Sequence, residues 1–556
     1  MSVTAGLKKG RKDMTGTRGI LKSCLRPLFG LGLALLPWSV LAPSILIPSA
    51  HAEPGASQTF HNPVIWEDLA DLDIVRVGDT YYYSASNMHY SPGAPILRSK
   101  DLVNWEYVGH SLPSLDFGPQ YDMKGGTAYV GGSWASFLGY RQSNKTFYWG
   151  GCIGFKHTHI YTAAAAEGPW KKNAEIDNCY YDAGLLIDDD DTMYVAFGNT
   201  KMSVAQLSPD GTKEVKSQIV FQTPPEIGTL EGSRFYKVNG NYYIFTTRPA
   251  NGQYVLRSTT GPFGPYTVRK VLLDTKSPVP GAGTPHQGAL VQTPQGKWYY
   301  MAFSDAYPGG RIPVLAPVTW KDGWPEVELV GDNTWGGGYP MPVSGTKQIA
   351  RCGFSDDFGE KTLGPEWEWN HNPDNTKWSA GKGLVLETAT VTDDFYLARN
   401  TLTHRILGPE SAATIVLDYS AMKTGDLAGL AILRNWTALI GVSKEADGFK
   451  LVMKNGMALD QHKRWTTASK GEVKQSVAIE GGKVWLRAMA DIHPGPGHKV
   501  VFSYSTDGKT FMTFGEPFEL SSEWPFFMAY RFALFNYATR SLGGKVTVPS
   551  FTIAKP

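Results

Sequence analysis

The sequence predicts an all-β protein: a five-bladed β-propeller over residues 58–345, followed by a β-sandwich of jelly-roll or concanavalin-like type over 354–556. Three observations predict it. Glycine takes 61 of 556 places and aromatics 12 %, while charged residues fall to 19 %, the composition of short strands joined by tight turns. An aromatic strand motif recurs five times between residues 60 and 320. That recurrence stops near 346–355, where period-two alternation takes over.

The chain opens on a segment apart from either domain. Residues 1–26 carry a net charge of +6, residues 27–52 carry no charged side chain, and the remainder is therefore at −4. A basic stretch, an apolar run from Leu28 to Leu36, and Ala50-His51-Ala52 make the three parts of a secretory signal over residues 1–52. Pro37, Pro43 and Pro48 argue against a continuous spanning helix, the alternative being an uncleaved anchor. The expected location is secreted or periplasmic, with no membrane contact after cleavage. Nothing in the mildly acidic body favours a polyanion such as nucleic acid, and no nucleic-acid partner is expected. Cys152 and Cys179 are the local candidates for a disulfide in an exported chain, and buried free thiols are the other reading.

The propeller rests on the repeat. Thr80-Tyr81-Tyr82-Tyr83, Thr146-Phe147-Tyr148-Trp149, Thr192-Met193-Tyr194-Val195, Asn241-Tyr242-Tyr243-Ile244 and Lys297-Trp298-Tyr299-Tyr300 each follow a polar turn. Aligned on Tyr82, Tyr148, Tyr194, Tyr243 and Tyr299, they step by 66, 46, 49 and 56 residues, the period of a propeller blade or solenoid unit. Upstream of each aligned tyrosine, by 11 to 14 residues, stand Asp71, Trp134, Asp182, Glu231 and His286. Equivalent blades place these five near the starts of innermost strands, which line the central channel.

Three carboxylates meeting in one channel raise one another's pKa values, and splitting them yields an acid and a base, the equipment for cutting a glycosidic bond. Met88, His89 and Tyr90, with Trp134, are expected to wall a sugar subsite. Asp68 and Asp73 compete with Asp71 for the role of base. Asp188–Asp191 reads as a solvated hairpin.

His61-Asn62-Pro63-Val64, Ala70-Asp71-Leu72-Asp73, Ser99-Lys100-Asp101-Leu102, Gly132-Ser133-Trp134-Ala135, Leu230-Glu231-Gly232-Ser233 and Trp320-Lys321-Asp322-Gly323-Trp324 together resemble glycoside hydrolase family 43. The resemblance implies a five-bladed propeller and an inverting mechanism with Asp71 as general base, Glu231 as general acid and Asp182 as the residue that orients and tunes Glu231. It implies that Arg311 reaches the substrate. It gives His286 two readings, one beside a bound calcium or its water and one purely hydrogen-bonding; no cofactor is otherwise required. Family members commonly carry Pro-Asp-Pro at the base, whereas this chain has Ala70-Asp71-Leu72: the strand position is kept, but the local rigidity is not.

Beyond residue 354, Phe354-Ser355-Asp356-Asp357-Phe358 and the alternating Val484–Met489 and Val501–Ser505 resemble the family's C-terminal sandwich. Its expected roles are packing against the propeller and shaping the cleft. The expected activity is removal of α-L-arabinofuranosyl side chains from arabinoxylan. A β-xylosidase on xylo-oligosaccharides is the runner-up, and a non-catalytic carbohydrate-binding propeller the reading from another class.

Overall fold

The computed structural model describes residues 58–351 and 353–556; the expected leader lies outside them. Five four-stranded antiparallel sheets succeed one another along the chain. Blade I is Asp73–Val77, Thr80–Ser84, Gly93–Ser99 and Trp105–Leu112. Blade II is Phe137–Arg141, Thr146–Ile153, His157–Ala163 and Lys171–Ile176. Blade III is Gly184–Ile187, Met193–Asn199, Lys201–Leu207 and Glu214–Gln222. Blade IV is Glu231–Val238, Asn241–Arg248, Gly252–Ser258 and Thr267–Leu273. Blade V is His286–Gln292, Trp298–Asp305, Arg311–Lys321 and Trp324–Val327.

Each blade's first strand touches the first strand of the next, and the fifth touches the first, so the ring closes. The five aromatic motifs are the second strands, where alternate large rings pack between blades: Tyr81, Tyr83, Trp149, Tyr243 and Tyr300 are all essentially buried. Local turn chemistry fits. In blade IV, Asn239 and Gly240 have φ of 49° and 77°, the pair of left-handed residues that a two-residue hairpin requires.

The ends of the propeller are tied by the His61-Asn62-Pro63-Val64 segment. Thr59–His61 pairs with Gly338–Pro340. Asn62 donates to the carbonyls of Leu315 and Gly336 and accepts from the Leu315 N–H, so one amide stitches the first residues to blade V.

The second domain packs a nine-stranded sheet on an eight-stranded one. Their inner faces, among them Trp367, Leu402, Ile415, Leu430, Ile440, Leu486, Phe532 and Phe551, form one continuous core. The propeller contributes to this sheet: Tyr90–Ser91 pairs with Trp369–Asn370 as its outermost strand. Beneath that junction Glu368, with no exposed surface, accepts from Arg405 at 2.9 Å, from Arg531, and faces His110 of blade I at 3.0 Å. Desolvation opposes a charge there, but two guanidiniums outweigh it and hold the carboxyl well below the usual range.

Cys152 and Cys179 are bridged, tying the second strand of blade II to the segment that enters blade III. The Asp188–Asp191 hairpin is ion-paired rather than merely solvated: Lys237 reaches Asp188 and Asp189, and Arg141 reaches Asp191. The turn faces basic side chains of neighbouring strands, a proximity that local sequence does not show.

Candidate active site

Asp71, Trp134, Asp182, Glu231 and His286 lie at, or up to three residues before, the first strands of blades I to V. Asp71 and Asp182 have φ of 55° and 50°. Aspartate tolerates this left-handed region better than most residues, and here it turns the chain into the strand. Blades IV and V use a bulge instead. Glu231 pairs with Thr247 but Arg234 with Phe245, so one extra residue lies on the inner strand. His286 and Ala289 show the same irregularity against Phe303 and Met301. A bulge re-aims the residue at the strand's end, here Glu231 and His286.

Asp71 is nearly buried and fully held. Its Oδ1 accepts from Arg311 Nη1 at 2.8 Å, and its Oδ2 from Ser86 Oγ at 2.7 Å. Its backbone carbonyl accepts from Arg234 Nη2 at 2.7 Å. These three bonds supply the rigidity that the missing prolines do not. Arg234, 1 % exposed, also donates to the carbonyls of Leu72, Ala183 and Ser233. One guanidinium therefore fastens the entries of blades I, III and IV, the three that carry the carboxylates.

Glu231 Oε2 accepts from Asn199 Nδ2 at 2.6 Å and Tyr181 Oη at 3.2 Å. Burial pushes its carboxyl above the ordinary value; the two donors pull it back, and the charge of Asp71 adds to the rise. Asp182 is pushed well up, first by desolvation and then by the charges of Glu231 and Asp71, with Arg234 and Arg311 opposing. The charge of Asp71 thus reaches both other carboxyls, and that of Glu231 reaches Asp182. Burial, and after it the charges of all three, raise the phenol of Tyr181, immediately before Asp182.

Arg311 is positioned by the sandwich. Asp68 accepts the Arg311 N–H and the Ala529 N–H, each at 2.8 Å, while Arg405 donates to the Asp68 carbonyl. Asp68 is therefore a clamp between domains, with both oxygens committed. Asp73 is likewise occupied: it accepts from the N–H groups of Ile74 and Leu138 and lies 3.6 Å from Arg234. Both competitors are bonded to backbone N–H groups and so fix the fold, whereas the Asp71 carboxylate is held by side chains alone.

Arg311 bonds Asp71 and lies over the rings of Phe303 and Phe527, 5.2 and 5.9 Å from their centroids. Trp134 is partly open. Its indole donates to Val130 O, and its ring meets Phe527 at 4.9 Å and Phe155 at 6.1 Å. Phe155 in turn stacks on Tyr181. This aromatic wall draws Phe527 from the sandwich, which sequence reading did not identify by residue.

The expected wall of Met88, His89 and Tyr90 needs correction. All three have no exposed surface. The strand they lead into joins the sandwich sheet, so His89 sits in the seam among Tyr90, Tyr129, His371 and Phe526, its Nδ1 accepting from Val130 N. Burial and the neighbouring His371 and Arg531 keep it neutral, well below its ordinary pKa.

His286 directs Nδ1 at the Thr284 carbonyl, 2.8 Å away, and packs against Phe303 at 4.5 Å. Calcium takes six to eight oxygen ligands. Among the described residues no group of three His, Cys, Asp or Glu side chains gathers at His286.

Sequence reasoning missed Ser86, Tyr181, Asn199 and Arg234. Tyr181 and Arg234 are close in sequence to carboxylates already singled out; Ser86 and Asn199 follow or end second strands and converge only through the fold.

Comparison with known proteins agrees with this geometry. Residues 60–325 match the model of glycosyl hydrolases family 43, and residues 355–553 that of the beta xylosidase C-terminal concanavalin A-like domain. A beta-xylosidase of Formosa agariphila is 31 % identical over 89 % of this chain and 90 % of its own length. A non-reducing end alpha-L-arabinofuranosidase of Bacteroides ovatus is 31 % identical over 58 % of this chain and 63 % of its own. A solved family 43 enzyme, described as engineered to display both endo-xylanase and exo-arabinofuranosidase activity, superposes with a TM-score of 0.86 at 47 % identity, covering 90 % of this chain and 100 % of that one. With its propeller, its carboxylates at the strand entries and its concanavalin-like partner domain, the chain belongs to glycosyl hydrolases family 43.

Proposed function

We propose that the protein is an exported, inverting α-L-arabinofuranosidase that removes arabinose side chains from arabinoxylan. The observation that carries the catalytic reading is the unequal holding of the carboxylates. Glu231, raised by burial, keeps a proton to give to the leaving oxygen. Asp71, fixed by Arg311 and Ser86, retains free lone pairs to accept a proton from water. Water then attacks the anomeric carbon from the face opposite the leaving group, in one displacement. The charge of Asp71 adds to the rise of Glu231, and Asp182 takes the orienting and tuning role beside it. His286 and Trp134 stand at the equivalent entries of blades V and II, and Arg311 lies beside the base, positions suited to hold the sugar.

Arabinose specificity is supported by the 47 % identity to an enzyme described with exo-arabinofuranosidase activity. The beta-xylosidase reading is favoured by the Formosa agariphila relative, which matches over both domains. Export is supported by the leader and by the Cys152–Cys179 bridge, a bond characteristic of oxidising compartments. No helix among the described residues is long and apolar enough to cross a membrane.

Chromatography of products from arabinoxylan and from xylobiose tests the proposal. Free arabinose from the polymer supports it; free xylose from the dimer without arabinose release replaces it with the xylosidase reading. Binding with no product from either would leave a carbohydrate-binding propeller.

A further inference from the structure

Among the described residues, one group of three metal-ligating side chains brings its donor atoms within 4.8 Å of one another: Asp491, His493 and His498. It lies in the sandwich, outside the carboxylate site. Asp491 ends the strand Lys483–Asp491, and His498 directly precedes Lys499–Ser505. Between the two histidines runs Pro-Gly-Pro-Gly, and Gly495 and Gly497, with φ of 109° and 89°, fold the chain back. Both imidazoles therefore meet the same carboxylate. His493 Nδ1 lies 2.7 Å from Oδ1 of Asp491, and His498 Nδ1 lies 2.8 Å from Oδ2. All three side chains keep 26–45 % of their surface exposed, so a cation can enter from solvent.

We propose that Asp491, His493 and His498 form a zinc site that clips the 491–498 loop at the propeller–sandwich seam. Two imidazole nitrogens and one carboxylate oxygen are a three-ligand zinc set, with water in the fourth position. The nitrogen content disfavours calcium and magnesium, which take oxygen ligands. At bond lengths of about 2.0–2.1 Å, tetrahedral zinc sets its donors roughly 3.3 Å apart, so the 2.7 Å contact of His493 opens by about half an ångström and His498 turns toward the same oxygen, all three donors already lying within 4.8 Å. Each Nδ1 releases its proton, to Nε2 of the same ring when neutral or to solvent when imidazolium. No oxidation state changes.

The clip would act across the seam because the loop is already fastened there. Gly495 N–H donates across it to the Tyr307 carbonyl at 2.9 Å, and within the sandwich Ile492 N–H donates to that of Pro409 at 2.8 Å. The His493 ring meets Trp66 of the propeller edge-on at 6.2 Å. Tyr307 stands four residues before Arg311, so the loop leans on the propeller segment that carries the guanidinium at Asp71.

The test uses the tag-free full protein, stripped with a chelator and titrated with zinc chloride in a calorimeter and in a thermal melt. The expected result is one zinc per chain with micromolar affinity, an unfolding midpoint raised by at least about 2 °C, and no such effect from calcium or magnesium chloride. The H493A/H498A double variant loses both the heat and the shift. Should it fail to fold, Asp491→Asn keeps the shape and weakens binding at least about tenfold. An anomalous peak among the three residues in a zinc-soaked crystal locates the ion. The proposal is overturned by absence of binding below about 100 μM zinc, by an equal response to calcium, or by binding that persists unchanged in the variants.

Discussion

Removing the two donors that face Glu231 should move the alkaline limb of the pH profile upward. Asn199 Nδ2 and Tyr181 Oη both donate to Oε2, at 2.6 and 3.2 Å. These bonds favour the ionised carboxylate, so deleting either raises the pKa of Glu231, and the protonated acid persists to higher pH. A hydrogen bond to a charged group is worth about 1.5–3 kcal/mol and one pKa unit about 1.4 kcal/mol, which bounds each deletion at roughly one to two units. Asn199 is exposed, and water will replace part of its bond. The expected displacement for Asn199→Ala is therefore about half a unit to one unit, and less for Tyr181→Phe, whose bond is longer. The assay is kcat/KM for arabinose release from an arabinoxylo-oligosaccharide between pH 4 and 9, since that parameter reports the free enzyme's acid. An aryl glycoside would not serve, because its leaving group needs little protonation. An alkaline limb that stays in place or moves down in Asn199→Ala refutes the assignment of Glu231 as acid.

Two further outcomes follow from the same structure. Asp182→Asn should raise the thermal midpoint at pH 7 while lowering turnover. A carboxyl whose folded pKa lies above its unfolded value destabilises the fold as pH rises through that range, and the penalty is complete above the folded pKa; asparagine removes it, so an unchanged or lower midpoint at pH 7, with equal stability at pH 3, would contradict the electrostatic account. Glu368→Ala should cost about 3–5 kcal/mol in urea unfolding, because Arg405 and Arg531 would be left buried without their counter-charge, and a loss under about 1 kcal/mol would show that the seam is not held by this cluster.

The ring of blades was legible because a propeller repeats: each blade packs both faces of its second strand, so an aromatic motif recurs there and its spacing counts the blades. The places of Asp71, Asp182 and Glu231 at the blade entries were legible for the same reason, as near-equal offsets of 11, 12 and 12 residues from an equivalent tyrosine. Contacts that depend on two remote segments were not. Nothing local marks Arg234 as the residue that fastens three blade entries, since it works through carbonyl oxygens every residue possesses. His89 was misplaced because Tyr90–Ser91 pairs with a strand nearly 280 residues later, an exchange between domains that no alternation within either reveals. Asp68 looked like a competing base; its two backbone partners, Arg311 and Ala529, lie 243 and 461 residues away.

The division of labour between acid and base is tested most directly by the substrate dependence of Glu231→Ala. We predict a loss of about 10²–10⁴-fold in kcat/KM on arabinoxylo-oligosaccharide, with much smaller loss on an aryl arabinofuranoside whose leaving group departs without a proton. Equal losses on both substrates, or near-normal hydrolysis of the oligosaccharide, would contradict it.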